Sequence, residues 1–521
     1  MFHMKKLVLM VSLLLVGVAA QAKVNLPQVI SSHMVLQRET SVSIWGTADA
    51  NEKVTVKFRD QKKETKADAN GKWMVKLAPL KAGGPDTLTV NDITLEDVLV
   101  GEVWVGSGQS NMDMGVNSYV KGDEVLAGLA EKTYPKIRLI RCGRTSWVEA
   151  TPQNIPAFSA LLFSFGVPLQ KELDVPVGLM VGAVGGTPSG RWLSEEMFKA
   201  DSACKEAVAK YAGKPYEEAK KRYQESLEKW EKACAEAKQA RQKEPGGKPH
   251  PPVEPGDCKG KFGSLYDVHI KPFIPFAIKG VLWDQGESGT AVDGVDQYAM
   301  MGALIRGWRK AWGQDFPFIH VQKPSGGGCA WDPQDPVTCK AEKFEALPPH
   351  AAPSGNNKYF ENHIQLNQYP NTFMAIASDL GSGIHPSCKS GYGARACRVA
   401  LGTVYGKKVE YYGPVYKSHK AKDGKVIVRF THVGQGLAFK NGDKLQGFAV
   451  AGEAASSSGD SGAAGKIFQW ADAVIDGDTV VLSCEKVAKP VWIRYAWSER
   501  RAWANLFNKD GLPAIPFRTD E

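Results

Sequence analysis

The stretch Gly101-Glu-Val-Trp-Val-Gly-Ser-Gly-Gln-Ser-Asn-Met112 presents one hydroxyl, Ser110, at the end of an apolar run. Val103, Trp104 and Val105 suit a buried strand, and Gly106 and Gly108 let the backbone bend sharply after it. A serine delivered at a strand-to-helix turn is a candidate nucleophile, but its hydroxyl is unreactive at neutral pH until an imidazole takes the proton. The imidazole in turn needs a carboxylate to hold its tautomer and stabilise its cation. Of ten histidines, His385 alone follows a buried-type strand through a short glycine-containing loop and is stiffened by a proline, Pro386. Two carboxylates compete for the third role. Glu287 follows the apolar strand that ends at Trp283, and Asp379 stands at the end of its own strand, six residues before His385.

These residues lie far apart in the chain, so a sheet must gather them. From about 99 to 404 the pattern is α/β. Val177–Gly182, Ile278–Trp283 and Phe373–Ala377 read as buried strands, and Tyr298–Trp312 reads as a helix. Each strand runs into a polar, glycine-rich segment: Gly185-Gly-Thr-Pro188, Asp284-Gln-Gly-Glu-Ser288, and Asp379 to Pro386. In a doubly wound sheet the carboxyl ends of the strands border one crevice, where ligands bind. Residues 195–257 interrupt this plan as a helical insertion. Its amphipathic helix starts at Pro215, and the proline-rich connector Glu244–Gly256 cannot continue that helix.

The flanks differ. Residues 23–98 alternate with period two in Ser41–Trp45, Lys53–Phe58, Lys72–Leu77 and Asp86–Val90, which predicts a β-sandwich-like accessory domain. Residues 405–521 are β-rich again, with Asp476-Gly-Asp478 as a hairpin turn and Gly452–Gly465 as a loop. Residues 1–22 carry Lys5-Lys6, an apolar run and Ala20-Gln-Ala22, the order of a signal peptide, so a soluble, secreted or periplasmic protein is expected. No later stretch is long and apolar enough for a membrane span.

The 521 residues suggest about three domains. The formal charge of +9 is spread out without a Lys/Arg block, which argues against a nucleic-acid partner. Nine cysteines permit bridges in an oxidising compartment. Cys329/Cys339 and Cys388/Cys397 are the pairs closest in sequence. No C-x-x-C or His/Cys cluster offers a metal site, and no cofactor is implied.

Ser107-Gly-Gln-Ser-Asn-Met112, Gly185-Gly-Thr187, Trp283-Asp-Gln-Gly-Glu-Ser288 and Ile384-His-Pro386 resemble, in order and spacing, the motif blocks of the sialate O-acetylesterase-like carbohydrate esterases of the SGNH hydrolase superfamily. The resemblance extends to Ser32–Gln37, Val175–Leu179, Pro275–Gly280 and Gly511–Arg518, and so covers nearly the whole chain after residue 22. It implies a flavodoxin-like three-layer α/β/α esterase domain at 99–404, flanked by β-rich N- and C-terminal regions. It implies removal of acetyl groups from a sugar or polysaccharide through an acetyl-enzyme, with Ser110 as nucleophile, His385 as base and Glu287 as the orienting acid. The oxyanion donors would be the backbone N–H groups of Ser110 and Gly186, with Gln285 as a third.

Two departures stand out. The aspartate that many relatives carry just before the histidine is replaced by Ser382-Gly383, which moves the acid role to Glu287 or Asp379. Asp284 stands where relatives often have an aromatic residue, and at a pocket mouth its charge would repel an anionic sugar. Two other classes remain on the residues alone: an esterase or acetyltransferase of the same fold on another ester, and a carbohydrate-binding protein without catalysis.

Overall fold

The computed structural model describes residues 24–520, apart from residues 144, 244, 323–342, 352–357, 378, 382, 454–466 and 499–500. The expected signal segment, Cys329, Cys339 and most of the Gly452–Gly465 loop lie outside the described residues.

The strand β1 (Ile93–Gly108) joins two parts of the molecule, and its burial pattern shows why. Its first residues alternate between buried and exposed and pair antiparallel with Gly83–Val90, as in a sheet with one wet face. From Val98 onward every residue is buried, and from Glu102 onward the paired neighbours are parallel strands. Six further strands lie along this part of the sheet: β2 (Tyr134–Arg141), β3 (Val148–Ala150), β4 (Val177–Ala183), β5 (Gly280–Asp284), β6 (Phe318–Gln322) and β7 (Thr372–Ile376). They complete a sheet of order β7-β6-β5-β1-β4-β2-β3, parallel except for β3 on its edge. β4, β5 and β6 are buried along their whole length, as strands covered on both faces must be.

Side-chain alternation sorts the residues between the faces. Val103 and Val105 of β1 share a core with Val281, Trp283, Phe318 and the Met300, Leu304 and Trp308 stripe of helix α3 (Gln297–Trp312). That same core runs on into the N-terminal β region through Val42, Ile44, Val56 and Val75, so the two regions have no gap between them. Trp104, Leu282 and Ile319 point the other way. They pack on Leu161, Leu162 and Phe165 of helix α2 (Ala160–Leu173) and on Tyr392, Ala396 and Val399 of helix α4 (Lys389–Thr403). The two helices of this layer approach closely: a Cβ on Gly393 would stand 2.3 Å from the carbonyl carbon of Ser164. Each fully buried Leu, Ile or Phe contributes about 1.5–3 kcal/mol, and both faces of the sheet carry several.

The expected N-terminal strands are present as Val42–Thr47, Lys53–Phe58, Lys72–Leu77 and Gly83–Val90. In the C-terminal part, Asp472–Asp476 and Thr479–Ser483 form an antiparallel hairpin across the turn predicted there. The insertion carries a helix over Lys214–Gln239 that buries only Tyr216. Its apolar stripe is half covered by the proline-rich return, with Trp230 Nε1 donating to Pro245 O at 3.2 Å. The closeness of Cys397 to Cys388 in sequence does not mark a bridge, because Cys397 is buried as a free thiol. Helix α4 carries it into the sheet-facing core beside Tyr392 and Ala400.

His320 sits on β6 between Trp283 of β5 and Met374 of β7 and is fully buried. Burial pushes its pKa down to about 3. Between the ordinary histidine value near 6.5 and that value, the unfolded chain binds a proton that the native chain refuses. Stability therefore falls as pH falls through this window. The expected outcome is a Tm that drops steeply from pH 6.5 toward pH 4 in the wild type and less steeply in His320→Gln; parallel curves in a thermal-melt series would show that His320 has no part in it.

Candidate active site

The sheet order changes direction at β1. The chain proceeds to β2 and β4 on one side and to β5, β6 and β7 on the other, which opens a crevice at the carboxyl end of β1. Ser110 begins the short helix α1 (Ser110–Asp113) at that point. The turn before it needs glycine. Gly108 has φ +126°, and a Cβ there would stand 2.1 Å from Asp284 O. Gln109 N donates to the same carbonyl at 2.8 Å, and Val184 N donates to Gly108 O at 3.2 Å. The Ser110 turn is thus seated on the ends of β4 and β5.

His385 Nε2 lies 2.7 Å from Ser110 Oγ across 275 residues of sequence. With the hydroxyl donating to that nitrogen, the pair is ready for proton transfer. Ser110 is half-buried and His385 is exposed, so the reactive edge faces solvent. Beside the serine runs the loop after β4, where a Cβ on Gly185 would lie 3.4 Å from Ser110 Cβ and where Gly186 takes a left-handed φ of +69°. Gly185 N donates to Asp113 Oδ2 at 3.3 Å, and the other oxygen of that carboxylate accepts from Arg141 at 2.9 Å. Arg141 stands at the carboxyl end of β2. An arginine and an aspartate therefore hold the Gly185–Gly186 loop against Ser110. Thr187 Oγ1 donates to Val184 O at 2.7 Å and accepts from Trp192 Nε1 at 3.1 Å, which closes the loop on itself.

The carboxylates of the region have separate fates. Glu287 is exposed and accepts a hydrogen bond from the Gln109 side chain, next to Ser110 in sequence. Asp379 is 1% exposed and forms a two-pronged pair with Arg395 of α4, at 2.9 and 2.8 Å. It ties the start of the histidine loop to the helix that follows it. Gln285, expected as a third oxyanion donor, donates to the carbonyls of Thr187 at 3.3 Å and Gly289 at 3.1 Å and accepts from Gln297 at 2.7 Å. Its N–H groups hold two loops together and are not turned to Ser110. Asp284 is wholly buried, as the last residue of a strand covered on both faces. It does not stand at a pocket mouth, and the repulsion of an anionic sugar expected from it has no basis. Its charge instead reaches the buried ring of Tyr392, whose pKa is raised far above the ordinary value by burial first and then by Asp284.

Two further residues escape a sequence reading. Lys389 is fully buried and donates to Asn111 Oδ1 at 2.8 Å and Pro386 O at 2.6 Å, while Asn111 Nδ2 donates to Ile384 O at 2.9 Å. A lysine four residues past the histidine reads as solvated surface, because lysine almost never lies inside. Asn111 carried a signal only as part of its motif block. Among the described residues, no three His, Cys, Asp or Glu side chains gather as a metal site, and no helix is long and apolar enough to cross a membrane.

No protein-family model matches the chain. It is 29% identical to sialate O-acetylesterase of Rattus norvegicus over 439 residues, covering 74% of this chain and 75% of that protein. It is 28% identical to the human enzyme of the same name over 471 residues, covering 80% and 78%. Among solved structures, a carbohydrate acetylesterase from Xanthomonas citri superposes with a TM-score of 0.70 at 26% identity, covering 96% of this chain and all of that one. The class follows from these likenesses: the chain is a carboxylic ester hydrolase. Within that class its likenesses are to the sialate O-acetylesterases and to a carbohydrate acetylesterase.

The Arg141–Asp113 pair makes a specific demand on activity. Asp113→Ala frees the Gly185 N–H and lets the loop beside Ser110 drift, and small misplacements at a reacting centre cost up to about 10²-fold in rate. Steady-state kinetics on p-nitrophenyl acetate should show kcat reduced by about that order with KM little changed, and Arg141→Gln should show a smaller loss of the same kind. A KM effect with kcat intact would assign the pair to substrate binding instead.

Proposed function

We propose that the chain removes O-acetyl groups from carbohydrates, sialic acid or an acetylated polysaccharide, through an acetyl-enzyme on Ser110. The observation that carries this reading is the 2.7 Å contact between Ser110 Oγ and His385 Nε2 at the carboxyl edge of the sheet. The Ser110 proton passes to His385 as Oγ bonds to the acetyl carbon. The carbonyl oxygen becomes an oxyanion, and the backbone N–H groups of Ser110 and Gly186 receive it. The Ser110 N–H suits this role because the first N–H groups of a helix have no partner within it. The imidazolium returns its proton to the departing sugar oxygen, which leaves acetyl-Ser110. Water then attacks the acyl carbon, gives its proton to His385, and releases acetate and the free serine. Glu287 is the carboxylate proposed to orient His385, because Gln109 holds it beside the nucleophile turn whereas Arg395 already occupies both oxygens of Asp379.

The same reading includes a flavodoxin-like three-layer SGNH hydrolase domain at 99–404, with 195–257 as its insertion, between a β-rich domain at 23–98 and a β-rich region at 405–521. The cores on both faces of the sheet support the layering. Residues 1–22 are proposed as a cleaved signal that sends the protein out of the cytoplasm, where extracellular acetylated glycans would be its substrates. An exposed His385 leaves the acyl group open to water, which favours hydrolysis over transfer to a second sugar.

Acetate release from p-nitrophenyl acetate and from a panel of acetylated sugars tests the assignment. Ser110→Ala and His385→Ala should each lower kcat by roughly 10⁴–10⁶-fold, and Glu287→Gln by roughly 10²–10⁴-fold. Asp379→Asn should keep most of its kcat but lose about 3–5 kcal/mol of stability, because Arg395 is left buried without its partner. A folded wild type that releases no acetate from any ester would sink the reading.

A further inference from the structure

A fully buried lysine beside a catalytic pair calls for a reason, since removing an ammonium from water is costly unless several groups replace the water. For Lys389 the replacements are known. Its ammonium donates to Asn111 Oδ1 and Pro386 O at 2.8 and 2.6 Å and lies 4.5 Å over the ring of Tyr119 and 4.8 Å over that of Tyr392. What it connects matters more than how it is satisfied. Asn111 follows the nucleophile directly, and its amide donates to Ile384 O at 2.9 Å. Ile384 and Pro386 are the two neighbours of His385. The carbonyls on both sides of the histidine are therefore tied to the residue beside Ser110, one by Asn111 itself and one through Lys389.

We propose that Asn111 and Lys389 form a positioning clamp that holds the His385 imidazole in register with Ser110 Oγ. The inference rests on the esterase reading above and assigns neither residue a direct contact with substrate. The clamp has work to do because the loop around His385 has no regular structure, contains Gly381 at φ +117° and Gly383 at φ +78°, and exposes Gly383, Ile384 and His385. Its far side is anchored independently. Ser390, next to Lys389 at the start of α4, donates its N–H and its hydroxyl to buried Asp123, both at 2.7 Å. The ammonium is thus delivered from a rigid helix start, and its place does not depend on the loop it holds.

The test compares Lys389→Met and Asn111→Asp with Val399→Ala, a cavity variant on the apolar face of the same helix that touches neither loop. Two rates are measured: turnover of p-nitrophenyl acetate, and covalent labelling of Ser110 by a fluorophosphonate. In the labelling step the serine oxygen bonds to phosphorus, fluoride leaves and the serine proton goes to His385. Both clamp variants should lose about 10- to 100-fold in kcat and in labelling rate with KM little changed, while Val399→Ala lowers Tm and keeps both rates. Wild-type rates in folded clamp variants would overturn the proposal, and so would an equal loss in Val399→Ala at the same fall in Tm. If Lys389→Met does not fold, Asn111→Asp decides, because it keeps an acceptor for the ammonium and replaces the donor to Ile384 O by a carboxylate oxygen that cannot donate. A wild type inert to both reagents overturns the esterase reading and the clamp with it; a reactive wild type with unaffected variants overturns the clamp alone.

Discussion

A serine and a histidine 275 residues apart must stand within one hydrogen bond of each other, and the rest of the molecule is arranged around that distance. A proton transfer tolerates little error in separation or angle. Neither residue lies in a rigid element: one begins a four-residue helix and the other lies in an irregular loop. The rigidity has to come from what surrounds them. The parallel sheet supplies it on the serine side, because β1 is buried on both faces from Val98 onward and its end is hydrogen-bonded to the ends of β4 and β5.

On the histidine side the rigidity comes from buried polar groups. Asp379 and Arg395 tie the entry of the loop to α4, and Asp123 with Ser390 holds the first turn of that helix. Lys389 and Asn111 close the connection to Ser110, Asn111 being its neighbour in the chain. Apolar packing alone would not specify such a loop, since hydrophobic contact is non-directional, whereas a hydrogen-bonded buried charge tolerates one geometry and penalises the others. The Gly185–Gly186 loop follows the same principle through Asp113 and Arg141.

The fold was legible where the pattern was local. Alternation in Lys53–Phe58 and Lys72–Leu77 and the apolar run in Val177–Gly182 each match an observed strand within a residue or two. The amphipathic spacing after Pro215 likewise became the Lys214–Gln239 helix. The strand Gln61–Lys66 was not legible, because its charged residues carry no apolar face. It forms because it is hydrogen-bonded to Lys53–Phe58 at the sheet margin. Reading Asp284 as a surface charge failed for the converse reason. A carboxylate ending an apolar run reads as the start of a loop, and only the strands on both sides show that it is enclosed.

By itself the sequence showed a hydroxyl at a strand-to-helix turn with a loop histidine downstream, together with the α/β alternation that places both at one edge of a sheet. Those are properties of short windows, where side-chain period and glycine placement act through the local backbone. The tertiary structure decided the partnerships: that Asp379 serves Arg395, that Gln285 spends its amide on two loops, and that a lysine lies inside against Asn111. Such pairings depend on which strands become neighbours, and strand order is set by packing the whole sheet between its helices, beyond the reach of any single segment.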